Sequence, residues 1–258
     1  MHSDPWHSLR SRTTARIAMG RAGGSLPTKD CLGFAADHAD ARDAVYSELD
    51  VPALERALEC PVLLLQSRAA ERAVYLQRPD LGRRLESASA AMFGDKTRTG
   101  VDLALIVADG LSAVAAQRHA ADVVRHLLAL ITTAGFTVGP LCVVKQARVA
   151  IADEIGSLLH ARISIILIGE RPGLGFADSL GAYLTYQPTV GKTDADRNCV
   201  SNINPRCLPP AAAAATLFWL TEQALRRQLS GVHLKDESMR TRSVPTNPHN
   251  PHPSQTLL

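Results

Sequence analysis

Short apolar runs alternate along the chain with longer stretches of helical period, and the two periods together predict an α/β fold. Pro61 to Leu65 and Ala73 to Leu76 read as strands. Arg78-Pro79-Asp80 then opens a helix running to about Met92, with Pro79 in its first turn. Val101 to Ala108 is a buried strand ending in Asp109-Gly110, and Ser112 offers an N-cap to the helix that follows. In that helix Ala120, Val123, Val124, Leu127, Leu128 and Ile131 form one apolar stripe, which Gly135 stops. A strand at 137–144 comes next, and Pro140 places it at an edge or a bulge. A short helix at 152–160 leads to the strand 163–169, and residues 182–187 form another strand. The polar then half-apolar segment 194–203 is expected to cross the same sheet edge, and Pro209-Pro210 starts a last helix. The βαβα alternation predicts a mostly parallel sheet with right-handed crossovers.

The flanks differ in character. Residues 8–30 are basic (Arg10, Arg12, Arg16, Arg21 and Lys29 against Asp30), and a helix over about 8–18 followed by a loop is expected. That segment reads either as an arm docking on a partner or as a solvated helix. Residues 29–47 look helical, with Thr28 or Asp30 as N-cap and Leu32, Ala35 and Ala36 on one face. From Asp236 the chain carries Pro245, Pro248, Pro251 and Pro253 among His, Asn, Ser and Thr, and is expected to be disordered. The resulting division is a helical arm over 1–60, an α/β domain over 61–235 and a tail over 236–258.

Residues 163–175 are the most informative stretch. An apolar run ends in Gly169, Glu170, a Pro172 turn and the glycines Gly173 and Gly175. Ligands of open α/β sheets bind beyond the carboxyl ends of the strands, where Glu170 would stand. Asp109 ends its strand in the same way, so the two acids would rim a wide crevice on one edge. Taken alone, Asp109 reads better as a turn or cap residue. The glycines do not complete a dinucleotide fingerprint, since position 178 is Asp. A tight turn without a ligand is the competing reading.

Composition removes several functions. The formal net charge is +3, with basic and acidic residues mixed outside the N-terminus, which does not favour nucleic acid. No apolar run nears the roughly 20 residues needed to span a bilayer. The five cysteines have no CxxC spacing, and Met1 to Arg12 lacks the apolar core of a signal peptide. Together these lead to the expectation of a reducing cytoplasm, with no zinc site and no disulfide framework. No nucleophile elbow, P-loop, HExxH or paired-carboxylate site is present. Cys199 has no nearby His and, on residues alone, reads as a small buried hydrophobe. His119 neighbours the apolar stripe and His126 faces solvent, which gives both structural roles. The pattern is that of a ligand-binding subunit whose chemistry lies elsewhere.

Several segments, in order, resemble one family. They are Leu9-Arg-Ser-Arg-Thr-Thr-Ala-Arg-Ile17, Gly20-Arg-Ala-Gly23, Asp37-His38, Tyr75-Leu-Gln-Arg-Pro-Asp-Leu-Gly-Arg-Arg-Leu85, Asp109-Gly-Leu-Ser112, Gly169-Glu-Arg-Pro-Gly-Leu-Gly175 and Ala195-Asp-Arg-Asn-Cys-Val-Ser-Asn-Ile203. The set resembles the small (light) subunit of ethanolamine ammonia-lyase from about residue 5 to 234. The resemblance implies a Rossmann-like, mostly parallel sheet flanked by helices. It also implies an adenosylcobalamin-dependent conversion of ethanolamine to acetaldehyde and ammonia by radical chemistry. In that family a TIM-barrel large subunit holds the substrate, and the small subunit covers the other side of the cobalamin. The family's cobalamin contacts carry over to Val149, Glu170 and Cys199, which reverses the residue-only reading of Cys199. No catalytic residue and no metal ligand is implied for this chain, and no DxHxxG motif is present. Relatives packaged in a bacterial microcompartment often carry a longer N-terminal extension than this one. The alternative is a stand-alone Rossmann-type nucleotide-binding oxidoreductase, which the incomplete glycine pattern disfavours.

Overall fold

The computed structural model describes residues 5–13, 15–94 and 100–238. Three helices come first: α1 (His7–Arg10), α2 (Thr28–Tyr46) and α3 (Val51–Leu58). The sheet strand β1 (Leu63–Gln66) follows, then α4 (Arg72–Gln77), a 3-10 turn at Leu81–Arg83 and α5 (Ser87–Ala91). Next come β2 (Val101–Ala108), α6 (Ala113–Thr133), β3 (Cys142–Lys145), α7 (Ile151–Leu158) and β4 (Ala161–Gly169). The chain closes with β5 (Leu180–Tyr186), β6 (Arg197–Ile203) and α8 (Pro210–Arg227).

The six strands form one sheet in the order β1-β3-β2-β4-β5-β6. The first four are mutually parallel, while β5 and β6 are added antiparallel. The sheet is therefore mixed, with a parallel half and an antiparallel extension. Strand β4 is the hinge between the halves, and every one of its residues except Arg162 is buried. That explains its unbroken Ile-Ser-Ile-Ile-Leu-Ile run, since both faces are covered. One face carries α6 and α8, packed on Leu105, Val107, Ile165, Leu167, Ala182 and Leu184. The other carries α7 and α5, packed on Ile106, Ala108, Val144, Ile166 and Ile168. The second cover stops short: α7 lies over β4 and β2, and the β5–β6 surface beyond it is left open.

Several sequence readings hold and others do not. The Ser112 side chain does cap α6, accepting from the Ala115 amide, and Gly135 at φ +77 follows its end. Residues 73–76 are helical and not a strand. So short an apolar run cannot reveal its period, and here Tyr75 is drawn inward so that its hydroxyl donates to Ala147 O at 3.0 Å. The helix expected over 78–92 shrinks to a turn and α5. Gly82 is wedged under Arg148 and Tyr75, and Arg84-Leu85 is extended, with Leu85 bridging to Ser67. Strand 137–144 is reduced to Cys142–Lys145 and lies between β1 and β2, so Pro140 marks no edge. It falls between the Val138 bridge to Leu103 and the pairing of Cys142 with Ile106, where the β3 side has one residue more, as the bulge reading expected. The segment 194–203 does not cross the carboxyl edge; it becomes β6, the outer strand of the extension.

At the N-terminus, α1 covers only His7–Arg10 of the helix expected over 8–18. Helix α2 forms as expected, but Pro27 and not Thr28 or Asp30 occupies its N-cap. Its apolar positions do not join the core: Ala44 is its one buried residue, and Leu32 and Phe34 are exposed. The tail reading lies outside the described residues from 239 onward.

Candidate functional site

The carboxyl edge of the parallel half is where a ligand was expected. There β2 and β4 close on each other, and a cavity of about 280 Å³ is left over β1 and β3, lined by Gln66, Arg72, Asp109, Lys145 and Gln146 among others. Loops after β2 and β3 leave toward opposite faces, which would open a crevice between them. Asp109 fills it. This buried carboxylate accepts from the amides of Gly110 at 2.8 Å, Gln146 at 2.8 Å and Ala147 at 3.1 Å, and Arg72 stands at 3.9 Å. Burial pushes the Asp109 carboxyl above its usual range, against the pull of those amides and of Arg72. Next to it, β2 and β4 end in direct backbone contact: the Leu111 amide donates to Gly169 O at 2.9 Å. A Cβ on Gly110 would fall 2.2 Å from that same oxygen. The wide crevice between Asp109 and Glu170 is therefore absent. Asp109 is a loop-tying residue, as its turn reading held, and the phosphate-binding turn of a dinucleotide fold has no room here.

Glu170 instead bends over the antiparallel extension. Its Oε1 accepts from the Tyr183 hydroxyl at 2.8 Å, and its side chain covers Gly181. A Cβ on Gly181 would sit 1.9 Å from Oε1, so the glycine is what allows the carboxylate to lie down on the strand. Tyr183 faces Cys199 across the β5–β6 ladder. Alternation along β6 sets Arg197, Cys199 and Ser201 on the same side as Tyr183. Desolvation, with the Glu170 and Cys199 charges behind it, pushes the Tyr183 phenol far up. Cys199 is solvent-exposed at its surface, yet its sulfur lies against Tyr183. Partial desolvation raises the thiol, the Tyr183 hydrogen bond opposes this, and the Glu170 charge adds to it. The thiol is therefore protonated near neutrality and is no nucleophile.

A cavity of about 650 Å³ opens beside this cluster, lined by Glu170, Gly173, Phe176, Ser179, Tyr183 and Ser201 among others. Residues 173 and 176 exchange both backbone hydrogen bonds, at 3.0 and 3.1 Å, so the glycine-rich stretch is a tight hairpin with Gly175 at φ +87. Gly173 itself has ordinary φ and no close neighbour, so nothing within the chain demands a glycine there. Ser179 is 8% exposed, and its hydroxyl has no partner among the described residues. Oε2 of Glu170 makes no hydrogen bond among the described residues. The wall thus offers a bulky ligand one carboxylate oxygen, one orphaned hydroxyl and the flat surface of Tyr183 and Cys199.

Val149 stands elsewhere on the same side of the sheet. It precedes α7, borders the apolar layer that Tyr183 also borders, and lines a neighbouring cavity of about 440 Å³. The structure thus joins Glu170 and Cys199 through Tyr183 and sets Val149 on the far bank of the open surface. Sequence reasoning missed Tyr183, Ser179 and Gly181. A signal existed for two of them: in Leu180–Tyr186, Gly181 and Tyr183 share a strand face, with Glu170 ending the partner strand. His119 is buried, with Nε2 3.4 Å from Asp178, and His126 is exposed. Among the described residues no group of three or more His, Cys, Asp or Glu is placed to hold a metal. Nor is any of their helices long and apolar enough to cross a membrane.

The family model for the ethanolamine ammonia-lyase light chain (EutC) matches residues 3–235. The ethanolamine ammonia-lyase small subunit of Ralstonia nicotianae is 53% identical over 239 residues, covering 90% of this chain and 88% of its own length. The small subunit of Azotobacter vinelandii is 52% identical over 241 residues, with 91% and 89% covered. That of Xanthomonas campestris is 51% identical over 243 residues, with 92% and 89% covered.

Proposed function

The chain belongs to the ethanolamine ammonia-lyase light-chain family, and from that membership we propose that it supplies one wall of an adenosylcobalamin site completed by a large subunit. The observation that carries this reading is the uncovered β5–β6 surface around Glu170, Tyr183 and Cys199. It is an extended, shallow, half-polar face beside an open cavity, with an orphaned Ser179 hydroxyl and a free Glu170 oxygen. Such a face fits a broad, flat molecule rimmed with amide groups. Glu170 Oε2 would accept from an amide side arm or a ribose hydroxyl, and Ser179 would give or take a second hydrogen bond. Cys199 and Val149 would offer close, uncharged surface.

When bound, adenosylcobalamin supplies the radical chemistry that removes ammonia from ethanolamine. This chain's own residues bind, orient and exclude water. Glu170 is fixed by Tyr183, whose phenol is held protonated, and Cys199 stays a thiol. Substrate chemistry therefore falls to the partner, which makes this the non-catalytic subunit of a hetero-oligomeric carbon–nitrogen lyase. The exposed Leu32 and Phe34 on α2, with the basic residues before them, support an arm that reaches its covered state on that partner.

Two substitutions test the wall. Glu170→Ala removes the acceptor. Gly181→Ala leaves Glu170 in the chain but drives its flexible carboxylate off the strand. Each should weaken adenosylcobalamin binding by the two-subunit complex roughly tenfold, the equivalent of about one lost hydrogen bond. Melting temperatures should stay near wild type, because Glu170 lies at the rim. Unaltered affinity in both variants would move the site elsewhere.

A further inference from the structure

The cavity next to Val149 has a chemistry of its own. It lies between the Leu81–Arg83 turn, the start of α7 and the 192–194 loop. Four cationic side chains line it, Arg83, Arg148, Lys192 and Arg197, with the fully exposed Asp194 as the one carboxylate among the lining residues. Lys192 also stands 3.9 Å from Asp196, and Arg197 pairs with Asp153. Arg83 and Arg148 have no carboxylate within ion-pairing distance among the described residues.

Two of the four are rigidly held and still incomplete. Arg148 stacks on Tyr75 with its guanidinium carbon 4.3 Å from the ring centre, and its Nη2 donates to Tyr75 O at 3.3 Å. Its backbone amide is tied to Gly82 O at 2.7 Å. Its Nε is buried with no partner among the described residues. Arg197 has a side chain only 2% exposed. Its terminal nitrogens are taken by Asp153 and by the carbonyls of Thr193 and Lys192. Its Nε is likewise buried and unpartnered. Buried donors without acceptors are rare and call for an explanation. The eight-residue helix α7 also begins at this cavity, and the two carboxylates of its first turn are engaged by arginines, Asp153 by Arg197 and Glu154 by Arg84. The missing partner is therefore an anion with several acceptor oxygens, small enough for the space and able to take the two Nε donors together with the charge of Arg83.

We propose that this cavity is a phosphate-ester subsite, with Arg83 and Lys192 as its outer cations and Arg148 and Arg197 as its buried, fixed ones. The inference rests on the cobalamin reading only for the source of the phosphate. Cobalamin carries one phosphodiester in its nucleotide loop, and Val149 lines both the cavity and the proposed corrin surface. A free phosphate or a nucleotide has the same chemistry and is the other source.

The test uses the full chain copurified with a large subunit, as wild type and as Arg83→Ala, Lys192→Ala and the double variant. Both side chains lie at the mouth of the cavity, and unaltered melting temperatures would show that the fold is kept. Affinities are measured for adenosylcobalamin, for adenosylcobinamide, which lacks the nucleotide loop and its phosphate, and for inorganic phosphate. The expected result is that each substitution weakens adenosylcobalamin about tenfold while adenosylcobinamide binds all forms alike. Should inorganic phosphate bind wild type and not the double variant, with both corrinoids unaffected, the subsite stands with a free phosphate as its ligand. Should wild type bind neither corrinoid yet still bind phosphate through these residues, the cobalamin reading fails and the subsite stands. Equal adenosylcobalamin affinity in wild type and double variant, with no phosphate binding by either, overturns the proposal.

Discussion

Arg197→Met should destabilise the folded chain by about 3–5 kcal/mol, the usual cost of stripping the partner from a buried charge. Arg197 and Asp153 are 2% and 1% exposed, and their contact joins β6 to α7, the two banks of the open surface. Removing the guanidinium leaves Asp153 dry and unpaired, and also frees the carbonyls of Thr193 and Lys192. In a chain of this size the melting temperature should fall by roughly 10 °C. Replacing both members together, as Asp153→Leu with Arg197→Met, should restore much of the loss, since a buried pair is weakly stabilising against an apolar one. The pair also carries a pH signature. Burial outweighs the Arg197 charge and pushes Asp153 up to about 6. The folded chain therefore holds this proton more tightly than the unfolded chain, whose aspartates titrate near about 4. The resulting stabilisation is complete below about pH 4 and is lost as pH rises through about 6. Urea unfolding of wild type should show the decline between pH 4.5 and 7, and Asp153→Asn should flatten it. A wild type whose stability rises over that interval would show the carboxyl to be depressed instead.

Gly169→Ala should be among the most damaging single methyls in the molecule. The added Cβ would fall 2.0 Å from Ser112 O and 2.5 Å from Asp109 O. Both obstacles are backbone, and neither can swing aside as a side chain would. The first belongs to the cap of α6, and the second to the loop locked by the Asp109 carboxylate. Relief requires β2 and β4 to part where they are most tightly joined, at a cost of about 3 kcal/mol or more. Soluble yield and the urea midpoint should both drop sharply. Gly173→Ala, four residues on in a hairpin with open space around it, should match wild type in both. Equal behaviour of the two variants would contradict the close packing of the strand ends.

The contrast between these glycines shows what the sequence could and could not convey. Both stand in the same eye-catching stretch, and only the partner loops decide that Gly169 is structural while Gly173 is free. The parallel half was legible, because Val101–Ala108 and Ala161–Gly169 are buried on both faces and α6 has a clean apolar stripe. Residues 73–76 were not, since four apolar residues fit a strand or one helical turn, and tertiary contacts of Tyr75 settled it. The antiparallel turn of β5 and β6 was also hidden. Nothing local distinguishes a strand that returns beside β4 from one that crosses over, yet that return carries the open surface. Glu170 was visible as an acid at a strand end. Its orientation depended on Gly181 and Tyr183, which only the register brings beneath it. The crevice expected beside Asp109 failed for the reverse reason: a carboxylate in a loop can rim a site or fill it, and three backbone amides turned this one inward.

The account rests on a shared cofactor site, and equilibrium binding of adenosylcobalamin followed by visible absorption tests it most directly. The chain alone, a TIM-barrel ethanolamine ammonia-lyase large subunit alone and the copurified pair would be titrated side by side. The account predicts weak binding by each subunit alone, and tight binding by the pair that Glu170→Ala weakens. Tight binding by the large subunit alone, unchanged when this chain is added, would contradict it.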